Sequence, residues 1–299
     1  MAKEKIFSAG GQAVIEGVLM RSQHNLAIAV RKHDGKISVK KERIKSIADR
    51  HAFLRWPFIR GIFNLFQMLA IGMKGLIYSA NESMDKIEEE LTFLEILLSI
   101  ILAVGFALLF FKFFPLLVAY LLSGVFPIVE KHYLIFNLID GVTKIALFVV
   151  YVFIISLMRD VKRIFEYHGA EHKTVNCYEA GEELVPKNVK KYPTLHPRCG
   201  TNFVLIVLIF SIVVYSFIPS YASFWWKFGL RIMLLPVIAA ISYEILKLCG
   251  RYRDNWLMHL IAMPGLAVQM ITTREPDKKQ IEVAIASLKG VIRKKRSRQ

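Results

Sequence analysis

Two histidines four positions apart, with a glutamate directly before the second, are the residues of this chain best suited to chemistry. If their segment is helical, His168, Glu171 and His172 share one face, because positions i, i+3 and i+4 do. Two imidazoles on one face can hold a divalent ion, with a carboxylate beside it as ligand or base. The spacing therefore predicts zinc or a similar ion on the two histidines, with Glu171 as the catalytic base. A polar helix cap at a membrane surface is the competing interpretation.

A third metal ligand must come from elsewhere in the chain. His196 and Cys199, three positions apart in the segment 195–202, are both residues that bind zinc. Glu244 is a further candidate, because an ionisable group near the end of a hydrophobic segment is costly and indicates a function or a partner. A rigid turn explains 195–202 equally well, and an ion pair with a nearby basic residue explains Glu244.

Charged residues that could bind an anionic group of a substrate lie in three further segments. The first is Gly10–Arg21, where paired glycines permit close approach of the backbone to a ligand, although a glycine-framed strand is the simpler interpretation. The others are the turn around residue 198 and the segment 251–255, where anchoring of arginines to lipid headgroups competes. The candidate substrate-binding residues are Glu16, Arg198, Arg251, Arg253 and Asp254.

The composition is that of a membrane protein. The chain has 299 residues, 55% of them hydrophobic, and its mean hydropathy is +0.42. A net charge of +16 suits either nucleic acid or an anionic membrane face, and in a membrane protein the second is favoured. We therefore predict anionic lipids as partners, with an unknown membrane-proximal substrate or protein, and no nucleic acid. Three cysteines form no even disulfide framework, and the first 25 residues predict no cleaved signal.

Hydrophobic segments set the predicted fold class, a polytopic α-helical membrane protein with about four transmembrane helices and a small cytoplasmic α/β portion. Each segment is close to the roughly 20 residues that a spanning helix needs. A shorter apolar run, 256–271, is interrupted at Pro264 and predicts a re-entrant, interfacial or broken helix. The predicted spans are 96–122, 134–158, 202–218 and 230–248.

The distribution of lysine and arginine predicts the orientation in the cell membrane. Residues 1–90 contain 15 of them, 159–201 contain 8 and 249–299 contain 11. The two other loops, 123–133 and 219–229, contain one each. Basic loops collect on the cytoplasmic side, so we predict a multi-pass protein with both termini and the loop 159–201 in the cytoplasm.

The segments outside the predicted spans carry structure of their own. Asp34-Gly35 between two strand-like runs predicts a hairpin, with a third strand over 13–20. Residues 52–79 predict a helix that lies on the membrane, and 278–295 predict a basic amphipathic helix that packs on the domain or binds lipid. The predicted order is 1–50 β-rich, 51–90 interfacial, 91–160 the first two spans, 161–201 the motif loop, 202–248 the other two spans, and 249–299 a re-entrant segment with a basic tail.

Four motifs together resemble a known family: Gly10–Arg21, Tyr167–Glu179, His196–Phe203 and Arg253–Trp256. They look like the YqhQ-like family of uncharacterised bacterial membrane proteins, which are catalogued as predicted metal-dependent enzymes. The resemblance covers about residues 5–277, implies an integral membrane protein and gives no substrate. It implies functional roles for Glu16, His168, Glu171, His172, His196, Cys199 and Asp254.

These observations favour a metal-dependent hydrolase of unknown substrate at the cytoplasmic membrane surface. A non-enzymatic membrane scaffold or assembly factor is the alternative, with a structural metal or a lipid-binding basic face. A transporter that uses Asp140, Lys144 and Glu244 is a third possibility, made less attractive by the absence of an internal repeat. Four protein ligands around the ion would favour the scaffold, and an open position would favour the enzyme.

Overall fold

The computed structural model describes residues 9–44, 56, 58–83, 93–218, 223–252 and 255–292. Contacts divide the chain into two compact units, the first made of 1–87, 155–198 and 266–299 and the second of 88–154 and 199–265. The described part is mostly helical, with one antiparallel sheet. Its strands are β1 (Gly10–Val14), β2 (Gly17–Arg21), β3 (Asn25–Arg31) and β4 (Ile37–Arg43).

The helices follow the hydrophobic segments of the sequence. Between the second and third helices a π-helical stretch, Leu109–Phe113, continues the same run. In chain order the helices are α1 (Ile59–Ser83), α2 (Phe93–Leu108), α3 (Phe114–Val125), α4 (Pro127–Lys131), α5 (Tyr133–Ser156), α6 (Arg159–Glu179), α7 (Pro186–Val189), α8 (Gly200–Tyr215), α9 (Phe224–Met233), α10 (Leu235–Arg251), α11 (Trp256–Thr272) and α12 (Lys278–Val291).

The sheet of the first unit is a simple meander in the order β1-β2-β3-β4. The predicted hairpin is confirmed, because β3 pairs with β4 across a turn in which Gly35 takes a φ of 81°. The predicted single strand over 13–20 is wrong, since the chain turns back at Ile15 and Glu16 and forms β1 and β2. Glu16 itself takes a φ of 51°, a left-handed conformation that is uncommon outside glycine.

Helices cover the sheet within the first unit. Helix α12 packs on β2, β3 and β4, and α6 packs on β1 and β2. Ile281, Ile285 and Leu288 of the predicted amphipathic stripe are buried there, so this stripe packs on the domain. Asp277 and Gln280 form the capping box that starts α12.

Helix α1 contacts the sheet through small residues. Gly72, Gly75 and Ser79 are buried, and the Ser79 hydroxyl accepts a hydrogen bond of 3.2 Å from the backbone amide of Ile15. We expected this segment to lie on a membrane, yet α1 is also long and apolar enough to cross one. The expectation of a helix lying on the membrane rested on isolated basic residues in this segment. One of them, Lys74, is exposed on α1.

The second unit contains most of the predicted spans. Three helical runs of the described chain are long and apolar enough to cross a membrane, Ile59–Ser83, Leu97–Val125 and Tyr133–Ser156. A fourth is obtained if α9 and α10, bent by 44°, form one span. Helix α8, the predicted third span, is a shorter apolar helix.

The predicted interruption at Pro264 is absent, because α11 runs continuously through it. A proline removes only one backbone hydrogen-bond donor from a helix, and α11 continues on both sides of Pro264. Gly265 follows, and a Cβ on it would lie 2.0 Å from Oδ1 of Asn202. The small residue thus lets α11 and α8 approach closely.

Candidate metal centre

The two predicted metal-binding histidines lie in the middle of α6, on one face. Their ring centroids are 4.4 Å apart. Nδ1 of His168 lies 2.9 Å from the carbonyl oxygen of Thr272, and Nδ1 of His172 lies 2.5 Å from that of Thr194. A carbonyl only accepts, so each Nδ1 carries the proton and each Nε2 carries the lone pair. Such contacts orient the histidines of metal sites.

Cys199 completes a group of three possible ligands. The ligand atoms of His168, His172 and Cys199 all lie within 4.8 Å of one another. Tetrahedral zinc, with bonds of about 2.0–2.3 Å, places its ligand atoms roughly 3–4 Å apart, so small side-chain rotations would close this group on an ion. Cys199 is the first residue of the second unit and is joined to the first unit by its peptide bond to Arg198.

The position of Cys199 suits a thiolate. It is the N-cap of α8, and its Sγ accepts a hydrogen bond of 3.4 Å from the backbone amide of Thr201. The N-terminal end of a helix favours negative charge, as a metal-bound thiolate carries. His172 and Cys199 are buried, and His168 is partly exposed.

Glu171 lies on the same helix between the histidines and is buried. Its Oε1 accepts a hydrogen bond of 2.9 Å from the backbone amide of Gly11 at the start of the sheet. Burial raises the pKa of the Glu171 carboxyl, while the nearby His168 and His196 rings and the Gly11 amide oppose that rise. A carboxylate with a raised pKa is a stronger base, as the predicted role requires.

His196 lies beside the three possible ligands, with its ring centroid 5.7 Å from that of His172. Gln269, fully buried, hydrogen-bonds both backbone groups of His196, at 2.9 and 3.0 Å. The imidazole Nε2 lies 3.4 Å from a carboxylate oxygen of Glu179, which also forms an ion pair with Arg198. His196 is therefore a neighbour of the candidate ligands that is oriented by Glu179.

Helix α6 also holds the loop that brings these residues together. The buried ammonium of Lys173 donates to the carbonyl of Lys190 at 3.0 Å and contacts Glu275 at 2.7 Å. Asn176 donates to two further carbonyls of the loop 190–196. On the other side a Cβ on Gly169 would lie 2.0 Å from the carbonyl oxygen of Arg274. Only glycine fits here. Gly169 therefore allows the segment around Arg274 to approach α6, and Thr272 of that segment contacts His168.

Comparison with known proteins identifies the family. The model of a family described as protein of unknown function, DUF1385, matches residues 56–294. The chain belongs to this family. It is also 34% identical over 307 residues to the uncharacterised protein YqhQ of Bacillus subtilis (strain 168), an alignment that covers 98% of this chain and 95% of the relative. No solved structure matches. The family expected from the motifs is confirmed.

Glu16, a predicted substrate-binding residue, lies near the turn of α6 that precedes the histidines. Its carboxylate forms an ion pair with Arg163 and accepts a hydrogen bond of 3.2 Å from the Tyr167 hydroxyl. Burial and this carboxylate together raise the pKa of Tyr167. Glu16 thus joins the turn between β1 and β2 to α6, and its part in substrate binding stays a prediction.

Two other predicted residues, Glu244 and Arg251, lie in the second unit. Glu244 is on α10, and Arg251, at the end of that helix, stacks on the Tyr252 ring at 5.4 Å. Glu244 is not in the group of three ligand residues, and its role stays a prediction, as does that of Arg251. Arg253 and Asp254 lie outside the described residues.

Several residues around the candidate metal centre were not found from the sequence. Thr194, Glu179, Gln269 and Thr272 orient the histidines through side chains or carbonyls. Backbone carbonyls leave no mark in a sequence. Gln269 did carry a signal, because a buried amide inside an apolar helix needs partners.

Proposed function

We propose that this protein is a membrane-associated, metal-dependent hydrolase in which His168, His172 and Cys199 hold zinc or a similar ion. The proximity of their three ligand atoms, within 4.8 Å, carries the proposal. Two nitrogens and one sulfur suit zinc, and three protein ligands are the number typical of catalytic zinc sites. When bound, such an ion makes a coordinated water more acidic and polarises a substrate oxygen.

Glu171 is the base in this proposal. It lies on the ligand-bearing face of α6, and its carboxyl is buried. A buried carboxylate close to two histidines can take a proton from a reacting water and later return it. The hydrogen bond from Gly11 fixes one of its oxygens, so the other oxygen is the one that would hold the proton.

The substrate is proposed to carry an anionic group and to lie near a membrane. Helices of the chain are long and apolar enough to cross one, and the net charge of +16 favours anionic lipid surfaces. Arg198 is the proposed contact for this group. Its side chain is paired with Glu179 but is still 27% exposed, so an anionic group can reach it. We further propose that the termini and the loop 159–201 face the cytoplasm.

Metal analysis of the full chain, purified in detergent, tests the proposal. We expect near-stoichiometric zinc in the wild type and its loss in His168→Ala and in Cys199→Ala. His132→Ala removes an exposed histidine of the second unit and should retain the metal. Folded wild-type protein without metal after incubation with zinc would refute the metal site.

A scaffold with a structural metal is the second candidate function, and the position of His196 favours it. Its ring lies 5.7 Å from that of His172, so a rotation away from Glu179 would supply a fourth ligand and close the site. Cobalt substitution separates the two functions. Displacement of a coordinated water by added thiocyanate changes the visible spectrum of an open site, whereas a closed site leaves the spectrum unchanged.

A further inference from the structure

A cluster of buried cations lies among the helices of the second unit, outside the metal centre. Lys112, Lys144, Lys227 and Arg231 are between 1% and 8% exposed, and the one carboxylate among them, Asp140, is 1% exposed. Uncompensated charge is costly in a bundle of apolar helices. An excess of buried cations therefore indicates a function.

Asp140 neutralises only part of this charge. It lies 3.1 Å from the Lys144 ammonium and 2.8 Å from Nη1 of Arg231. Lys112 lies in the π-helical stretch and donates to the Tyr215 hydroxyl at 3.2 Å. No carboxylate contacts Lys112 or Lys227 among the residues described.

Lys227 and Arg231 occupy one face of α9, four positions apart. The Lys227 ammonium lies 4.8 Å from the centre of the Phe136 ring and 5.2 Å from that of Tyr133. The Arg231 guanidinium lies 6.0 Å from the same Phe136 ring, and its Nη2 donates to Asn137 at 2.8 Å. Both cations thus lie beside the Phe136 ring, and the guanidinium is closer still to the Tyr215 ring, at 4.9 Å.

Two buried donors in this place lack acceptors. Nε of Arg231 and the Tyr133 hydroxyl are buried and make no hydrogen bond among the described residues. Nη1 of Arg231 is not one of them, because it lies 2.8 Å from Oδ1 of Asp140. Buried polar groups are nearly always satisfied, so Nε and the hydroxyl indicate an acceptor supplied from outside the chain.

We propose that Lys227, Arg231 and Tyr133 bind a phosphate group. A tetrahedral oxyanion presents several oxygens, which match the remaining Nε donor of Arg231, the point charge of Lys227 and the Tyr133 hydroxyl. The phosphate belongs either to a phospholipid or to a free anion. Trp225 and Trp226 of α9 are 69% and 62% exposed, and tryptophans collect at the level of lipid headgroups, where both sources are present.

The test uses the full chain, delipidated in a maltoside detergent, and follows thermal unfolding and tryptophan fluorescence. In one arm inorganic phosphate is compared with chloride at matched ionic strength. In the other, phosphatidylglycerol is compared with diacylglycerol, which lacks the phosphate. We expect one of the two phosphate compounds to bind the wild type. The same compound should bind Lys227→Gln about tenfold more weakly.

Two further variants keep the test decisive. Lys131→Gln removes the same charge from an exposed site and should bind as the wild type does. Arg231→Lys keeps the charge beside Asp140 but loses the Nε donor, so it should fold and bind phosphate weakly even if Lys227→Gln unfolds. Equal responses of wild type, Lys227→Gln and Arg231→Lys to both compounds would overturn the proposal and leave the cluster as a structural ion network.

Discussion

The backbone amide of Gly11 donates a hydrogen bond of 2.9 Å to Oε1 of Glu171, across 160 positions of sequence. It joins the first strand of the sheet to the middle of the helix that carries the two histidines. A Cβ on Gly11 would lie 2.1 Å from the carbonyl oxygen of Leu19, so glycine is needed at this position. The motif around residue 11 and the histidine motif, far apart in sequence, therefore meet in the first unit.

Glu171→Gln should preserve the fold and the metal while it abolishes function. The amide oxygen still accepts from Gly11, so we expect the free energy of unfolding to change by no more than about 1 kcal/mol. An amide cannot take a proton from water, so a catalytic role would be lost. Metal content and complementation of a strain that lacks the gene measure the two effects.

The exposed Glu183→Gln is the matched control, because it makes the same change on the loop after α6. It should complement fully. Loss of metal in Glu171→Gln would identify Glu171 as a ligand. Full complementation with unchanged metal would remove the catalytic role and favour the scaffold.

Gly169→Ala should destabilise the first unit and lower its metal occupancy. Alanine is normally the better helix former by about 1 kcal/mol, so propensity alone predicts a gain. The new methyl would lie 2.0 Å from the Arg274 carbonyl, and such overpacking typically costs about 1–3 kcal/mol. Thermal unfolding and zinc content report both effects.

The control for this change is Gly105→Ala, in α2. Among the described residues, nothing outside the neighbouring backbone of α2 itself lies within 4 Å of the position that its Cβ would take. Its stability should be unchanged or slightly higher. If Gly169→Ala behaves in the same way, the close contact between α6 and the segment after α11 does not restrain the site.

The sequence predicted those parts of the fold that depend on local patterns. Apolar length located the runs that became α2–α3 and α5, and an Asp-Gly pair located the hairpin. The amphipathic stripe of α12 was correct as well, since Ile281 and Leu288 are buried. The interruption expected at Pro264 does not occur, because a proline costs one hydrogen bond and neighbouring helix contacts can offset that loss.

The site was predictable only where its residues share one helix. His168, Glu171 and His172 follow from the spacing, and Cys199 was one of three proposed third ligands. The choice among them depends on long-range contacts, such as the clamp of Gln269 on the His196 backbone. Glu16 was recognised, but its partner Arg163 was not, because no local pattern connects residues 147 positions apart.

Zinc should protect Cys199 from alkylation by N-ethylmaleimide, because the reactive species is the thiolate that would bind the ion. In chelator-treated, folded protein we expect Cys199 to react, and added zinc should slow the reaction at least several-fold. Magnesium prefers oxygen ligands and should have no effect. Peptide mass spectrometry measures each cysteine separately.

Cys177 is the internal control for this experiment. It is packed in the core of the first unit, and burial raises the pKa of its thiol. Less thiolate is present at a given pH, so Cys177 should react slowly with and without zinc. A Cys199 rate that zinc leaves unchanged would exclude this residue as a ligand.

Labelling of single introduced cysteines should place the two ends of the spans on opposite sides of the membrane. Lys187, exposed on α7, lies in the basic loop 159–201, and Lys131, exposed on α4, lies in a loop with one basic residue. Because basic loops stay in the cytoplasm, an impermeant maleimide should label Lys131→Cys in intact cells and Lys187→Cys only after permeabilisation. The unmodified chain carries the three native cysteines, and its labelling is measured in parallel as the background. Labelling of Lys187→Cys in intact cells would reverse the orientation and place the candidate metal centre on the outer face.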